Sequence, residues 1–465
     1  MLIISVATLL SIAVALAVWR WHYAVYTLLA YVAVGGAVQL LLFDVKWIVL
    51  LKDILFVIPC YLCLVIMKGR PHIRLPRYFA FTIGLFVVVV VAQLFNPSGP
   101  PWTARLIGLK VWLFYLPLIA VGSTVAISER RIRDVLRVFL VVMWLPCLAG
   151  LAQWILSLTL GYQRAISLFY GVAASAASTQ GYASFGVGSQ GAQLIRIPAT
   201  FSYPTQYYNY LLCAITAAWI AGIGEKSRRW RSFARASMMV GIVASIFSGI
   251  RSAFLFTPLL ILLLYVLKRD ARRIVGTVAV AAVLIAAGLS QSSLTLEDIA
   301  SYTSDLTVMY AHVNGVSYVA HYLSPLGTGV GSGTNATRYV MDSDDLNPEN
   351  YYAKAAHELG IPGLVAVVLL LTASIAVGFR DLRFLQNPGY RAFCIGVLAL
   401  QITVLGYSFK ATLLDYDPLN VLFWFLVGMA LQLRRLDRPA WRPRFACSPP
   451  GTPVNQLTLA GHLGT

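Results

Sequence analysis

Apolar stretches of about 20 residues recur along almost the whole chain. They lie near 2–19, 22–44, 47–67, 78–95, 105–127, 138–159, 207–224, 236–250, 252–267, 274–290, 359–378, 392–409 and 418–433. A helix of ~20 residues reaches across the ~30 Å hydrocarbon core of a bilayer. Membrane strands would instead be ~10-residue segments of alternating polarity, so an outer-membrane barrel is excluded. Composition agrees: 59% of the 465 residues are hydrophobic and 12% are charged, against about 25% charged in a soluble protein. A cytosolic enzyme, a disordered chain and a secreted domain are therefore excluded. The expected fold is all-α, a polytopic transmembrane helical bundle of about 12–13 spans over residues 1–435. The first run lacks a basic start and a small-residue cleavage site, so it reads as a span and not as a removed signal.

The net charge of +18 comes from 36 Lys and Arg against 18 Asp and Glu. Of these cations, 25 fall in short clusters beside apolar runs, at 68–77, 130–137, 226–235, 268–273, 380–391 and 434–444. That is the distribution of cytoplasmic loops under the positive-inside rule, and it points to membrane lipids as neighbours, with no nucleic acid as partner. Fixing these clusters inside turns 96–104, 160–206, 291–357 and 410–417 outward. The stretch between 235 and 268 then crosses twice, with its turn at Ser248, Gly249, Ile250 and Arg251. The orientation of the N-terminus stays open between twelve and thirteen spans.

Two outward connectors are long, about 160–206 and 291–357. The second holds seven of the 18 acidic residues. Thr295 and Asp298 mark a helix start, and Ile299, Tyr302, Leu306, Met309, Val313 and Val316 repeat at helical spacing, so an amphipathic helix is expected over 296–322. A turn with glycine at 327, 329, 331 and 333 follows. It lacks the Gly-Lys-Ser/Thr ending of a nucleotide-binding loop and reads as a hinge. Residues 436–465, rich in Pro, Gly and polar side chains, read as a disordered cytoplasmic tail. Cys60 and Cys63 have CxxC spacing inside an apolar run, with no second pair or histidine beside them, which reads as buried and inert.

Three short stretches on the outward side concentrate the polar chemistry. They are Arg196 to Tyr207, Ser248 to Ser252, and Pro348 to Leu364. Their details are Arg196-x-x-Ala199-Thr200-Phe201-x-x-Pro204, Gly249-x-Arg251, and Glu349-Asn350 ahead of Glu358-x-Gly360-x-x-Gly363-Leu364, with Pro325-x-Gly327-x-Gly329 between the last two. In this order, over roughly 105–410, they resemble the O-antigen ligase and O-antigen polymerase family of bacterial membrane proteins. Ligases of that family usually carry histidine where this chain has Glu349, which leaves ligase and polysaccharide polymerase both open.

The resemblance implies transfer of a glycan from an undecaprenyl-diphosphate carrier to an acceptor hydroxyl, on a glycan or a lipid core, at the periplasmic face of the inner membrane. It implies no cofactor and no metal. Breaking the glycosidic C–O bond leaves negative charge on the diphosphate. Arginine suits that anion, because its fork binds phosphate oxygens in pairs and stays charged. An Arg at membrane depth costs roughly 2.5–3.5 kcal/mol on insertion scales and is a functional candidate for that reason. Arg251 fits best, then Arg196, then Arg105, with Lys110 one turn deeper; the plain alternative for each is snorkelling at a helix end.

The acceptor hydroxyl needs a general base. Glu349 occupies the motif position, although a Glu at a helix start also complements the helix dipole. His357 is the rival. Asn350, Lys354 and His357 share one helix face, and a nearby lysine would hold the imidazole neutral. Asn350, Tyr352 and Lys354 are the candidate substrate contacts, while interfacial tyrosines are also expected from the aromatic belt alone. His312 and His321 are weaker. The alternative function is a transporter or flippase of a polar or lipid-linked substrate. The adjacent pair Lys52 and Asp53 argues little for it, since consecutive residues point to different helix faces.

Overall fold

The computed structural model describes residues 21–41, 51–66, 75–172, 184–187, 192–250, 252–270, 315–334 and 350–437, with isolated positions at 8, 11, 276 and 348. The protein is an all-α polytopic helical bundle. In chain order the helices are α1 (Trp21–Leu41), α2 (Ile58–Ile66), α3 (Arg77–Leu94), α4 (Trp102–Leu113), α5 (Leu118–Val125), α6 (Glu129–Val142), α7 (Trp144–Leu160) and α8 (Tyr162–Tyr170). They continue with α9 (Pro204–Gly224), α10 (Arg228–Ile246), α11 (Ala253–Lys268), α12 (Gly315–His321), α13 (Tyr351–Glu358), α14 (Gly360–Leu382), α15 (Pro388–Tyr407) and α16 (Leu419–Asp437). A two-stranded antiparallel hairpin, β1 (Ser184–Val187) and β2 (Ala192–Ile195), pairs Ser184 with Ile195 and Val187 with Ala192. It was not foreseen within the loop 160–206.

Where they are described, the apolar runs from 22 to 267 and from 359 to 433 fold chiefly as helix; apart from the isolated positions 8, 11 and 276, the runs near 2–19 and 274–290 lie outside the described residues. Seven helical stretches among the described residues are long and apolar enough to cross a membrane. Two of these, Trp102–Val125 and Glu129–Leu160, are composites of successive helices. The expected 12–13 full spans are not reached among the described residues. Asp53–Leu62 and Ala253–Lys268 are shorter apolar helices, and α10 starts inside the basic cluster at 226–235, which lowers its mean hydropathy.

Helix ends follow local chemistry. Prolines 101 and 117 stand at the starts of α4 and α5, where a missing N–H costs nothing. The Asn387 side chain accepts from the Gly389 N–H at 2.8 Å to cap α15. Between helices, glycine lets backbones touch. A Cβ on Gly122 would stand 2.1 Å from the Phe425 carbonyl oxygen, and one on Gly428 would stand 2.1 Å from that of Ile119, so α5 and α16 meet main chain to main chain.

The connectors sort to two ends of the bundle. At one end Arg137 binds the Glu225 carboxylate with two bonds of 2.9 Å, Lys226 pairs with Glu129 at 2.9 Å, and Asp381 pairs with Arg380 and Arg434. At the opposite end Asn96 donates to the Gly327 carbonyl at 3.0 Å, Ile197 to Ser248 at 3.0 Å, Thr328 to His357 at 2.8 Å and Tyr351 to Ser408 at 3.0 Å. The second set joins the connectors that lack the basic clusters, which is the grouping the charge pattern implies. The first part of the expected helix over 296–322 lies outside the described residues, and only α12 is seen of it. In the tail, α16 continues through Asp437, and 438–465 lie outside the described residues.

Candidate functional site

Arg196 emerges from β2 into a loop held from three sides. The Ile197 N–H donates to Ser248, one residue before a glycine in the left-handed region, Gly249 (φ 71°). A Cβ there would lie 1.9 Å from the Ile195 carbonyl oxygen, so the approach of the two stretches requires glycine. The Thr200 hydroxyl donates to Ala33 at 2.5 Å, and the Ala37 N–H donates to the Thr200 carbonyl at 2.7 Å. Between them Ala199 adopts φ 51°, a left-handed conformation that disfavours a residue with a Cβ by about 1–2 kcal/mol. Gln153 of α7 bonds both sides of this residue: its Oε1 accepts from the Ala199 N–H at 2.9 Å and its Nε2 donates to the Ala199 carbonyl at 3.0 Å.

Thus the Arg196 loop packs directly on the turn at 248–252. Arg251 itself lies outside the described residues, between Ile250 and Ser252. The Ser252 and Tyr407 hydroxyls share a 2.8 Å hydrogen bond, and Arg196 lies close enough for its charge to act on Tyr407. Tyr407 stacks on Phe256 at 4.5 Å and meets Tyr208 edge-on at 5.8 Å. Ser408, the next residue, receives the Tyr351 N–H. All three sequence stretches therefore meet around the end of α15.

The third stretch builds α13. Glu349 lies outside the described residues. Asn350, expected at the substrate, is instead the helix cap: its carboxamide oxygen accepts from Tyr352 at 2.8 Å and from Ala353 at 3.1 Å, which satisfies two otherwise orphaned donors. Tyr352 is also drawn into the core, donating to the Leu405 carbonyl at 2.9 Å and packing on Phe409 at 4.5 Å. Lys354 is fully buried, paired with Asp415 and lying 4.6 Å over the Trp112 ring. These two give no open face to a sugar. Arg105 is likewise committed, donating to the carbonyls of Pro100, Leu94 and Gly99 at 2.6, 2.9 and 3.0 Å, which pins the turn before α4.

His357 is half-buried and meets Tyr322 edge-on at 6.0 Å. Burial holds its pKa below the ordinary imidazole value, against an opposing pull from Glu358. The neutral imidazole expected of a base is thus favoured, but by burial; Lys354 turns its charge to Asp415 instead. His321 meets Tyr322 at 5.3 Å, and His312 lies outside the described residues.

Glu358 organises the glycine-rich turn. Its buried carboxylate accepts from Trp112 Nε1 at 2.7 Å, Gly331 N at 3.0 Å, Gly333 N at 2.9 Å and the Thr334 hydroxyl at 2.8 Å. The turn also lies on α4, where a Cβ on Gly108 would be 2.4 Å from Gly331 N. The expected hinge is thus tied down at both edges.

Beside it is a second buried set of charges. Lys52 and Asp53 both turn inward, 5% and 4% exposed. A π-helical turn, Asp53–Val57, precedes α2, and the two side chains converge on the Tyr115 hydroxyl despite their adjacency. Lys52 donates to the Tyr115 hydroxyl at 2.7 Å, which donates to Asp53 at 2.9 Å. Lys110 pairs with Asp53 at 2.5 Å, and Lys52 also pairs with Asp417. Between the two sets is a cavity of about 10 Å³ lined by Trp112, Tyr115, Tyr351 and Asn420, among others. Together the sets hold three lysines (Lys52, Lys110, Lys354) against four carboxylates (Asp53, Asp415, Asp417, Glu358). Most of this charge is paired within the group, with one carboxylate in excess of the lysines. Asp415 and Asp417 were missed in the sequence; their one signal was that acids so close to an apolar run need a buried partner.

Compared with protein-family models and with curated proteins, the chain matches none.

Proposed function

We propose that the chain is a membrane glycosyltransferase that moves a glycan from an undecaprenyl-diphosphate carrier to an acceptor hydroxyl at the periplasmic face of the bacterial inner membrane. The observation that carries this reading is the meeting of three remote stretches around Tyr407 and Ser408: the Arg196 loop, the 248–252 turn and the start of α13. In the proposed reaction the acceptor oxygen attacks the anomeric carbon as its bond to the diphosphate oxygen breaks. Arg196 and Arg251 hold the departing diphosphate, whose charge grows as the bond lengthens. Glu349 or His357 removes the acceptor proton.

Lipid-linked donor and acceptor, both in detergent with the purified protein, test this reading. Product formed there requires transfer and no crossing of a membrane. Arg251→Lys and Arg196→Lys should each lose most of the turnover while the protein accumulates normally, because a lysine cannot offer the paired donors. Normal product from both variants overturns the diphosphate role. Unchanged turnover in Glu349→Gln assigns the base to His357.

A second reading, a transporter or flippase, draws on the buried Lys52 and Asp53 with the part-exposed Lys110 and Asp417, since charges at membrane depth often line a substrate path. Transport into vesicles without product in detergent would favour it.

A further inference from the structure

Gln153 stands in the middle of a membrane helix and is fully buried. A polar amide in that position is unfavourable unless its hydrogen bonds are made. Here its oxygen and its nitrogen both bond one residue, the N–H of Ala199 at 2.9 Å and its carbonyl at 3.0 Å, and the nitrogen also reaches the Tyr170 hydroxyl at 3.4 Å. One side chain thus supplies what a neighbouring strand would. The Tyr170 hydroxyl, from α8, donates to the same carbonyl. Ala199 is one of two non-glycine residues with positive φ among the described residues, and the clamp falls on it. It lies three positions after Arg196. Either side of it, the Ile197 N–H is bound to the 248–252 turn and the Thr200 hydroxyl to α1.

We infer that Gln153 is a positioning residue for Arg196: by holding Ala199 left-handed it sets the path of residues 196–201, and with it the direction from which the guanidinium meets the diphosphate. The part that concerns the loop rests on geometry alone; the part that concerns catalysis rests on the proposed transfer reaction. Because the clamp opposes a conformational preference of alanine, a glycine at 199 should relieve the need for it.

The test uses the full-length protein in lipid nanodiscs, with Gln153→Leu and the double variant Gln153→Leu/Ala199→Gly. Two readouts are taken: amide hydrogen exchange across 196–203, and kcat and KM for the lipid-linked donor. Loss of both bonds should speed exchange in this loop by about tenfold or more. It should lower kcat by a similar factor with a smaller rise in KM, because the arginine acts chiefly on charge that develops in the transition state. The double variant should recover most of both. Where Gln153→Leu does not accumulate, Gln153→Glu keeps the acceptor for the Ala199 N–H and loses the donor, and the same two readouts apply. Unchanged exchange, or losses that glycine does not relieve, overturn the inference. Faster exchange relieved by glycine, in a preparation whose wild type transfers no glycan, overturns the proposed activity and leaves the clamp standing.

Discussion

Glu358→Gln probes the scaffold under the site with a change of one atom. The carboxylate takes four donors, two on each oxygen: Gly333 N and the Thr334 hydroxyl on Oε1, and Trp112 Nε1 and Gly331 N on Oε2. A carboxamide keeps one oxygen and presents an NH₂ to the other two donors. With the NH₂ at the Oε1 position the Gly333 N–H loses its acceptor while the Thr334 hydroxyl can turn and accept; at the Oε2 position Trp112 Nε1 and the Gly331 N–H both lose theirs. At about 1–3 kcal/mol for each donor left unsatisfied, the expected loss is about 1–3 kcal/mol in the milder orientation. Lys354, 3.9 Å away, also loses a carboxylate. Equilibrium unfolding in mixed SDS micelles, followed by tryptophan fluorescence, reads this directly because Trp112 is one of the four donors. Trp112→Phe supplies the scale, since it removes a single charge-assisted bond, worth about 1.5–3 kcal/mol. A Glu358→Gln protein within 1 kcal/mol of wild type would refute the reasoning that this carboxylate holds the turn.

Asp415 gives a pH dependence. Burial raises its pKa to about 6 against the opposing pull of Lys354, so between about pH 4 and 6 the folded state binds more protons than the unfolded state. The stability contribution of this group is therefore full below pH 4 and is lost as pH rises towards 6. Asp415→Asn should remove that slope from unfolding midpoints measured between pH 4 and 7, and an identical slope in the variant would rule the assignment out. Gly122→Val and Gly428→Val should each separate α5 from α16, since any Cβ falls 2.1 Å from a carbonyl oxygen; accumulation in membranes at the wild-type level would contradict the close packing described here.

The helices were legible in the sequence because they depend on one simple quantity, apolar length. The meeting of the Arg196 stretch with the 248–252 turn was expected from the resemblance and from placing both stretches on the outward side; the glycine at 249 that the close approach requires was not read in advance. Partnering was not legible. Helical spacing put Asn350, Lys354 and His357 on one face, but Asn350 caps the helix, Lys354 finds Asp415 more than 60 residues away, and His357 remains half-buried beside the glycine-rich turn. Long-range pairs of this kind leave no periodic trace. Gln153 is a similar case, since a lone glutamine in an apolar helix does not reveal which peptide it serves. The Lys52 and Asp53 pair misled for a different reason, as the reading weighed the directions of adjacent side chains and not the reach of a lysine amine.

The irregular winding of the π-helical turn takes up one extra residue between 53 and 57 while the segments on either side keep their facing. Deleting one apolar residue there would let the turn close as ordinary helix and leave the amine of Lys52 beside the tyrosine hydroxyl and the acids it serves. The same deletion within the regular winding of α2 would rotate the preceding segment by roughly 100° and swing that amine away. The irregular turn should therefore tolerate the loss of one residue better than the regular helix that follows it.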